Sequence, residues 1–357
     1  MDNNKRIIGF DVARAFAILG MMFVNYKIVF GYNVIHYKSI HHFFSIFEGR
    51  AAAVFIILAG IGIGLMTEKS YILKDREGKK EERVTLFKRA LFLFVSGLIF
   101  FYVFEWTADI LHFYGLYMTL IIGVLYFNKK GLSILIGLIL QVSLLLQIFF
   151  DYTKGWAFEE VQYLDMDTLT GFIRNSMFNG FHPVFPWFAF MVLGLLLSRY
   201  DLRNNRVQKK LFKFSLSIAL TTEFISLLAL KVFDKSELAI YFLDTKPMNP
   251  SILYMVASSG WAIAFIALIL IITSKKKANK ISHALAQTGK MALSHYVFHF
   301  LFVLGAFELY DALAYKNEGF VLILSVLVFL IMIVFSNVWL IKFKRGPLEL
   351  LMRRISG

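Results

Sequence analysis

Long apolar stretches alternate with short polar connections along almost the whole chain. A helix needs about 20 mostly apolar residues to cross the hydrocarbon core of a bilayer, and backbone amides inside lipid must be paired, so each stretch predicts a transmembrane helix. The stretches lie near residues 10–30, 46–66, 86–104, 108–127, 131–150, 184–199, 211–231, 251–273, 290–308 and 319–341. The pattern therefore predicts an all-α polytopic membrane protein with about ten transmembrane helices.

Basic residues are concentrated in alternate connections between these stretches. Most of the 38 lysine and arginine residues lie in or near 5–14, 69–89, 129–130, 199–213, 275–290 and 342–354. Positively charged loops stay in the cytoplasm, so we expect both termini there, which requires an even number of spans. The net charge of +14 is then a feature of topology and of contact with anionic lipid, with some cations left for an anionic cytoplasmic ligand such as a coenzyme phosphate. No basic block carries interleaved aromatic residues, so nucleic acid is not an expected partner.

No soluble domain interrupts this pattern, so we expect a single integral-membrane domain over residues 1–357. The polar segment 67–85 has mixed charge, which predicts a solvated loop. The segment 151–183 is acidic and rich in aromatic residues, which predicts packing against the helices or in the membrane interface. No pair of broken helices of the transporter kind is evident. The chain has no cysteine, which excludes disulfides, thiolate metal sites and a cysteine nucleophile.

The first span contains two charged residues and an amide. Asp11 and Arg14 are three residues apart and share one helix face. They form either an ion pair at the cytoplasmic interface or the inner mouth of a cavity, where Arg14 holds an anionic ligand. Asn25 lies near the outer end of the same helix, where a buried amide needs a partner.

Three histidines, His36, His41 and His42, lie between the first two spans, on the predicted outer side. Histidine titrates near neutral pH and is the commonest general base in catalysis. Glu48 and Arg50 follow at the start of the second span, and Glu48 is placed to orient one of the imidazoles. The alternative is a loop of solvent-exposed histidines.

Further polar residues stand at the outer ends of other spans. Asp109 and His112 are three residues apart, so the carboxylate is placed to fix the imidazole tautomer, unless the two form a satisfied pair in the core. His182 precedes a span and is placed to join an outer polar site or the interface. His295 and His299 share one side of a helix, but two ligands do not make a metal site, so we expect packing histidines and no metal.

Several motifs in this order resemble a known family. Its first helix is matched by Arg6-Ile7-Ile8-Gly9-Phe10-Asp11-Val12-Ala13-Arg14 with Val24-Asn25, and its second by Gly49-Arg50-Ala51-Ala52-Ala53 with Leu58-Ala59-Gly60-Ile61-Gly62. The block Asp109 to Gly115, then Gly289-Lys290-Met291-Ala292-Leu293-Ser294 with Tyr296, and Gly346-Pro347-Leu348-Glu349 with Arg353 complete the set. The chain resembles the YeiB-like bacterial branch of the heparan-alpha-glucosaminide N-acetyltransferase-like transmembrane acyltransferases.

This resemblance implies a ten- or eleven-helix fold that moves acyl groups from cytoplasmic acyl-CoA to an amine or hydroxyl of a sugar across the membrane. The active-site histidine of the characterised relatives lies between the first two helices, which here offers His36, His41 and His42, with His41 or His42 favoured. This chain has Gly49 where the transferase branch carries an acid.

The sequence thus favours an acyltransferase in the cell membrane that uses acyl-CoA (acetyl-CoA) as co-substrate and an extracytoplasmic glycan or similar acceptor, with no permanently bound cofactor. Asp11, Arg14, Asn25, Glu48, Arg50, Asp109, His112 and His182 are the candidate substrate-binding residues. One alternative is a transporter or flippase for a small polar or lipidic solute, using Asp11, Arg14, Asp109 and Glu223 as a polar pathway. Another is a sensor without turnover.

Overall fold

The structure is a computed structural model that describes residues 6–30, 38–158, 161–274, 279–309 and 317–357. Most of these residues are helical, as predicted, and very few form strands. The first helices are α1 (Ile8–Phe30), α2 (Lys38–Ser45), α3 (Arg50–Met66), α4 (Glu68–Leu73), α5 (Arg76–Val103), α6 (Leu111–Val124), α7 (Lys129–Phe149), α8 (Leu169–Arg174) and α9 (Val184–Leu197). They are followed by α10 (Asn205–Val232), α11 (Glu237–Leu243), α12 (Ile252–Ser274), α13 (Lys280–Lys290), α14 (Ala292–Phe298), α15 (Gly305–Leu309), α16 (Glu318–Lys342) and α17 (Pro347–Ser356).

Among the described residues, seven helices are long and apolar enough to cross a membrane, and the number rises to nine if each of two bent helix pairs is one span. The chain is therefore a multi-pass membrane protein. The segment expected at 108–127 forms α6, whose 14 residues rise about 21 Å, less than the ~30 Å of a hydrocarbon core. The count of ten spans and the cytoplasmic position of both termini stay predictions.

The bent pairs differ from the expectation that no helix is broken. Leu169–Asn179 and Val184–Leu197 meet at 48°, and Lys280–Lys290 and Ala292–Phe307 meet at 71°. The first break contains Pro183, which has no backbone N–H and disfavours a helical conformation in the residue before it. The second break is at Met291, two residues after Gly289 in the last turn of α13, and no proline lies beside it.

The two long polar segments are also more ordered than the sequence predicts. Residues 67–85 form α4 and the start of α5 rather than a loop, because Asp75 caps α5 by accepting a hydrogen bond from the Glu77 amide at 3.1 Å. The acidic segment contains a two-stranded hairpin, β1 (Trp156–Ala157) and β2 (Gln162–Tyr163), in which Trp156 pairs with Tyr163. Tyr163 is buried, which agrees with the expected packing of this segment.

The chain divides into two compact units. Unit 1 comprises Met1–Phe55, Arg203–Ser217 and Gly260–Leu351, and unit 2 comprises Ile56–Leu202, Ile218–Ser259 and Met352–Gly357. Four of the boundaries fall inside α3, α10, α12 and α17, and the fifth lies between α9 and α10. In unit 1, α1 packs against α13, α14 and α16, and in unit 2, α5 packs along α6 and α7 along α9. The expectation of one domain over residues 1–357 stays a prediction.

Candidate active site

The start of α1 holds a buried carboxylate between two guanidinium groups. Asp11 is only 1% exposed, and its Oδ1 accepts a hydrogen bond from Arg14 Nη1 at 2.8 Å. Arg6 donates to the same carboxylate through Nε at 2.6 Å and Nη2 at 2.9 Å. The expected ion pair between Asp11 and Arg14 is therefore formed. Arg6 is a second cation that the sequence reasoning did not include, and two cations share one carboxylate here.

Close helix packing holds this charged group in place. A Cβ atom on Gly289 of α13 would lie 1.8 Å from the Asp11 carbonyl oxygen and 2.6 Å from its carbonyl carbon. Both contacts are with backbone, which cannot move aside as a flexible side chain can. The absence of a side chain at Gly289 thus sets the distance between α13 and the start of α1.

We expect Gly289→Ala to destabilise the protein by about 1–3 kcal/mol, the usual cost of overpacking a well-packed contact. Thermal unfolding of the purified protein in detergent measures the change. Gly123→Ala is the matched control, because a Cβ atom on Gly123 meets nothing within 4 Å. Equal midpoints for the two variants would show that α1 and α13 tolerate separation.

Asn25 contacts His299, which begins the π-helical turn (His299–Leu304) that follows α14. Asn25 Nδ2 lies 3.0 Å from His299 Nε2, and both residues are buried. The amide nitrogen donates, so Nε2 accepts and the ring proton lies on Nδ1, which is 3.3 Å from the His295 carbonyl oxygen. His295 Nε2 in turn lies 2.6 Å from Ser336 Oγ. His295 and His299 thus contact polar groups of α16 and α1, and their expected role as packing residues stays a prediction. The described part of the chain contains no group of three or more potential metal ligands.

The histidines after the first span have different environments. His41 Nδ1 lies 3.0 Å from Glu318 Oε1; the His41 side chain is 42% exposed and that of Glu318 is 2% exposed. His42 is exposed. His36 lies outside the described residues. Of the three candidate bases, His41 is thus observed against a buried carboxylate.

The carboxylate beside His41 is not the one expected from the sequence. Glu48 accepts a hydrogen bond from Lys27 Nζ at 2.8 Å instead of orienting an imidazole. Arg50 Nη1 donates to the Ser45 carbonyl oxygen at 3.3 Å. Glu318 stands at the start of α16, and nothing in its local sequence connects it with α2.

The C-terminal motifs noted in the sequence meet each other in unit 1. Glu349 Oε1 accepts hydrogen bonds from the amides of Leu293 at 2.8 Å and Ser294 at 3.1 Å, and its Oε2 accepts one from Ser294 Oγ at 2.5 Å. Burial raises the pKa of the Glu349 carboxyl above its ordinary value. Glu349 thus accepts hydrogen bonds from backbone N–H groups that have no partner within the helix at the start of α14, directly after the Met291 break.

Unit 2 contains a second carboxylate–imidazole pair. Asp109 Oδ2 accepts hydrogen bonds from the His112 amide at 3.0 Å and from His112 Nδ1 at 2.9 Å, and both side chains are fully buried. Gly97 of α5 allows this geometry, since a Cβ atom there would lie 2.1 Å from the His112 amide nitrogen. The expected pairing of Asp109 with His112 is formed. Because the carboxylate accepts a hydrogen bond from the Nδ1–H group, the proton of the neutral ring is on Nδ1 and Nε2 carries the lone pair.

Several buried polar atoms of unit 2 have no hydrogen-bond partner among the described residues. They include His112 Nε2, His182 Nδ1, Asn175 Oδ1, Ser176 Oγ, Trp187 Nε1 and Ser258 Oγ. The rings of Phe113 and His182 are 6.0 Å apart, and those of His182 and Trp187 are 4.6 Å apart. Native proteins pair the great majority of buried polar atoms, so these atoms suit water or a polar ligand.

One of these residues, His182, was expected from the sequence to lie near an outer polar site. Its carbonyl oxygen accepts a hydrogen bond from the Tyr117 hydroxyl. Asn175 and Ser176 were missed, because they lie in a π-helical turn (Asn175–Asn179) that no local pattern indicates. Such turns are frequent at functional sites.

The fold and these sites define a class of protein, a multi-pass helical membrane protein. Unit 1 contains a buried charged group, and each unit contains a carboxylate–imidazole pair. Residues 6–246, about two thirds of the chain, match the family described as the heparan-alpha-glucosaminide N-acetyltransferase catalytic domain. The chain belongs to this family of transmembrane acetyltransferase-like proteins. Residues 196–357 match a family described as a protein of unknown function, DUF418, and the two matches together place the chain in the YeiB-like branch. No curated protein matches the chain.

Proposed function

We propose that the protein is an acyltransferase of the bacterial cell membrane. It moves an acyl group, most simply acetyl, from cytoplasmic acyl-CoA to a hydroxyl or amine of an extracytoplasmic glycan or similar acceptor. The observation that carries this proposal is the contact between His41 and Glu318 in a chain whose family is defined by an acetyltransferase catalytic domain. A buried carboxylate on Nδ1 fixes the ring and leaves Nε2 as the nitrogen that takes a proton.

The reaction needs one base and no redox step. The acceptor oxygen or nitrogen attacks the thioester carbonyl carbon while His41 takes the acceptor's proton. The carbon–sulfur bond then breaks, and the coenzyme leaves as a thiolate that regains the proton. A positioned base of this kind contributes roughly 10²–10⁴-fold. His42 and His36 are the alternative bases in the same segment.

The charged group at the start of α1 supports a role for the anionic coenzyme. Arg6 and Arg14 together carry two positive charges against the single charge of Asp11, so the group retains an excess positive charge. A guanidinium group offers phosphate paired, geometrically matched hydrogen bonds. In this proposal Arg14 contacts a coenzyme phosphate and Asp11 orients Arg14.

Uncharged hydrogen-bonding groups of unit 2 are proposed contacts for a neutral polar substrate. His112 Nε2 and His182 Nδ1 are buried without a hydrogen-bond partner among the described residues, and Asp109 keeps the His112 lone pair on Nε2. Such groups favour a neutral hydroxyl over a charged group. Asn25, Glu48 and Arg50 remain proposed contacts that order the segments around the substrates.

The first test is consumption of thioester. Purified protein with acetyl-CoA and a panel of amino and hydroxyl sugars is expected to release free coenzyme in an acceptor-dependent manner. A transporter or a sensor consumes no thioester, so its complete absence with every acceptor and with longer acyl chains would contradict the proposal.

Transport is the second candidate, because the two bent helix pairs resemble the discontinuous helices from which transporters build binding sites. Flux into proteoliposomes of a labelled sugar or lipid, measured without acyl-CoA, tests it. We expect no flux above that of empty liposomes.

The role of Glu318 is tested separately. Glu318→Gln keeps the size of the side chain but removes the charge that orients His41. We expect kcat to fall by on the order of 10²-fold or more, with little change in the KM for acyl-CoA. Glu237→Gln is the matched control, since Glu237 is an exposed acid in the first turn of α11. A fall in stability with unchanged kcat would reduce Glu318 to a structural residue.

A further inference from the structure

A basic cavity lies where α4 meets the start of α5 in unit 2. It has a volume of about 620 Å³ and is lined by Tyr71, Ile72, Lys74, Arg76, Lys79 and Tyr126. We call it the cationic pocket. Half of its lining residues are cations, and none is an acid.

Two acids near the cationic pocket accept hydrogen bonds from other groups. Asp75 accepts from the Glu77 amide as the cap of α5. Glu82 accepts hydrogen bonds from Ser70 Oγ and the Tyr126 hydroxyl, both at 2.8 Å. Within the described residues, no ion pair involves the three lining cations. The positive charge of the pocket is therefore not cancelled by a bound carboxylate.

Two tyrosine rings form walls that are already fixed. The Arg199 guanidinium lies 3.8 Å from the centre of the Tyr71 ring. Lys79 Nζ lies 4.7 Å from the centre of the Tyr126 ring, whose hydroxyl is held by Glu82. Cation–π contacts of this kind restrict both partners. The free-energy cost of ordering these side chains when a ligand binds is therefore small.

The level of the cationic pocket relative to the membrane indicates its ligand. Counted along α5 from Val84, Lys79 lies about 7.5 Å and Arg76 about 12 Å further from the apolar part of the helix, whose first turns still contain Lys88 and Arg89. The headgroup layer of a bilayer is about 5–8 Å thick on each side, so Lys79 falls within it and Arg76 beyond it. Ile72 and Leu73 are each 64% exposed beside the pocket, as expected for residues that contact acyl chains. A cation at headgroup level next to exposed apolar residues suits an anionic phospholipid.

We propose that the cationic pocket binds the phosphate headgroup of one anionic phospholipid. Lys74, Arg76 and Lys79 contact the phosphate, and Ile72 lies against the acyl chain. This site goes beyond acyl transfer, because it requires neither a thioester nor an acceptor. It is also more specific than the general attraction of basic loops to anionic membranes, since it names one cavity.

Native mass spectrometry of the full chain in neutral detergent tests the site, with phosphatidylglycerol and phosphatidylcholine as the added lipids. We expect the wild type to retain one phosphatidylglycerol in preference to phosphatidylcholine. The variant with Lys74→Gln, Arg76→Gln and Lys79→Gln should bind it about tenfold to hundredfold more weakly. The control carries Arg206→Gln, Lys209→Gln and Lys210→Gln, which remove the same charge from exposed positions on α10, and should bind it as the wild type does.

Equal loss in the test and control variants would show a general charge effect and overturn the site. Displacement of phosphatidylglycerol by a soluble nucleotide bisphosphate would show that the pocket takes a soluble anion, which also contradicts the proposal. Lys79→Gln alone leaves α4 and the Asp75 cap of α5 unchanged, and an intermediate loss of binding would support the site even if the triple variant folds poorly.

Discussion

Replacing His41 with alanine is expected to lower acyl transfer by roughly 10²–10⁴-fold while the protein remains folded in the membrane. The imidazole is the proposed base, and its removal leaves the acceptor's proton without a positioned group to take it. The side chain is partly exposed at α2, so its loss removes little packing. Release of free coenzyme by the purified variant, at saturating acyl-CoA and acceptor, measures the effect.

His42→Ala is the matched control for this experiment. It removes the same chemical group from the neighbouring position, where the ring is exposed. We expect His42→Ala to retain most of the activity and the double variant to be no worse than His41→Ala. Full activity of the double variant would end the assignment of a base to α2, while loss confined to His42→Ala would exchange the two roles.

The largest effect on stability is expected for His112→Leu, which should cost about 3–5 kcal/mol of unfolding free energy. The substitution fills much of the space but leaves the Asp109 carboxylate buried without the imidazole N–H at 2.9 Å. A buried charge that loses a partner is far more costly than the pair itself was beneficial. Thermal unfolding and the yield of folded protein in detergent measure this loss.

Asp109→Asn in the same chain distinguishes charge from packing. Because it removes the carboxylate charge, the double variant should regain part of the stability lost in His112→Leu, and the cycle gives the coupling of the pair. His283→Leu is the surface control, since His283 is exposed on α13. If His112→Leu, Asp109→Asn and the double variant all unfold at the same temperature as the wild type, Asp109 and His112 do not form the buried pair described above.

Contacts within one helix turn could be predicted from spacing. Asp11 and Arg14 are three residues apart within α1, and a helix places such residues side by side. Asp109 lies just before α6, and its carboxylate accepts hydrogen bonds from the amide and the imidazole of His112 at the start of that helix. The need of Asn25 for a partner was also predictable, because an amide inside the membrane must be paired. The identity of that partner, His299, was not predictable, because 274 residues separate the two.

The assignment of a carboxylate to His41 shows where sequence reasoning fails. Glu48 is close in sequence, yet it pairs with Lys27, while Glu318 reaches His41 across 277 residues. Sequence distance is informative along a helix but not between helices, where the packing of α2 and α16 decides which side chains meet. The orphaned polar atoms of Asn175 and Ser176 were missed because a π-helical turn leaves no periodic signal.

The sequence by itself determined that this protein is a multi-pass helical membrane protein of the YeiB-like acyltransferase family. Hydrophobic length and the need to pair backbone amides in lipid are local properties, and they leave only helices as a solution. The tertiary structure alone decided which helices are broken, which carboxylate faces which imidazole, and that residues of the segment 67–85 line a cationic pocket together with Tyr126. These features depend on how closely helices approach, which small residues such as Gly97 and Gly289 set through contacts that no single segment encodes.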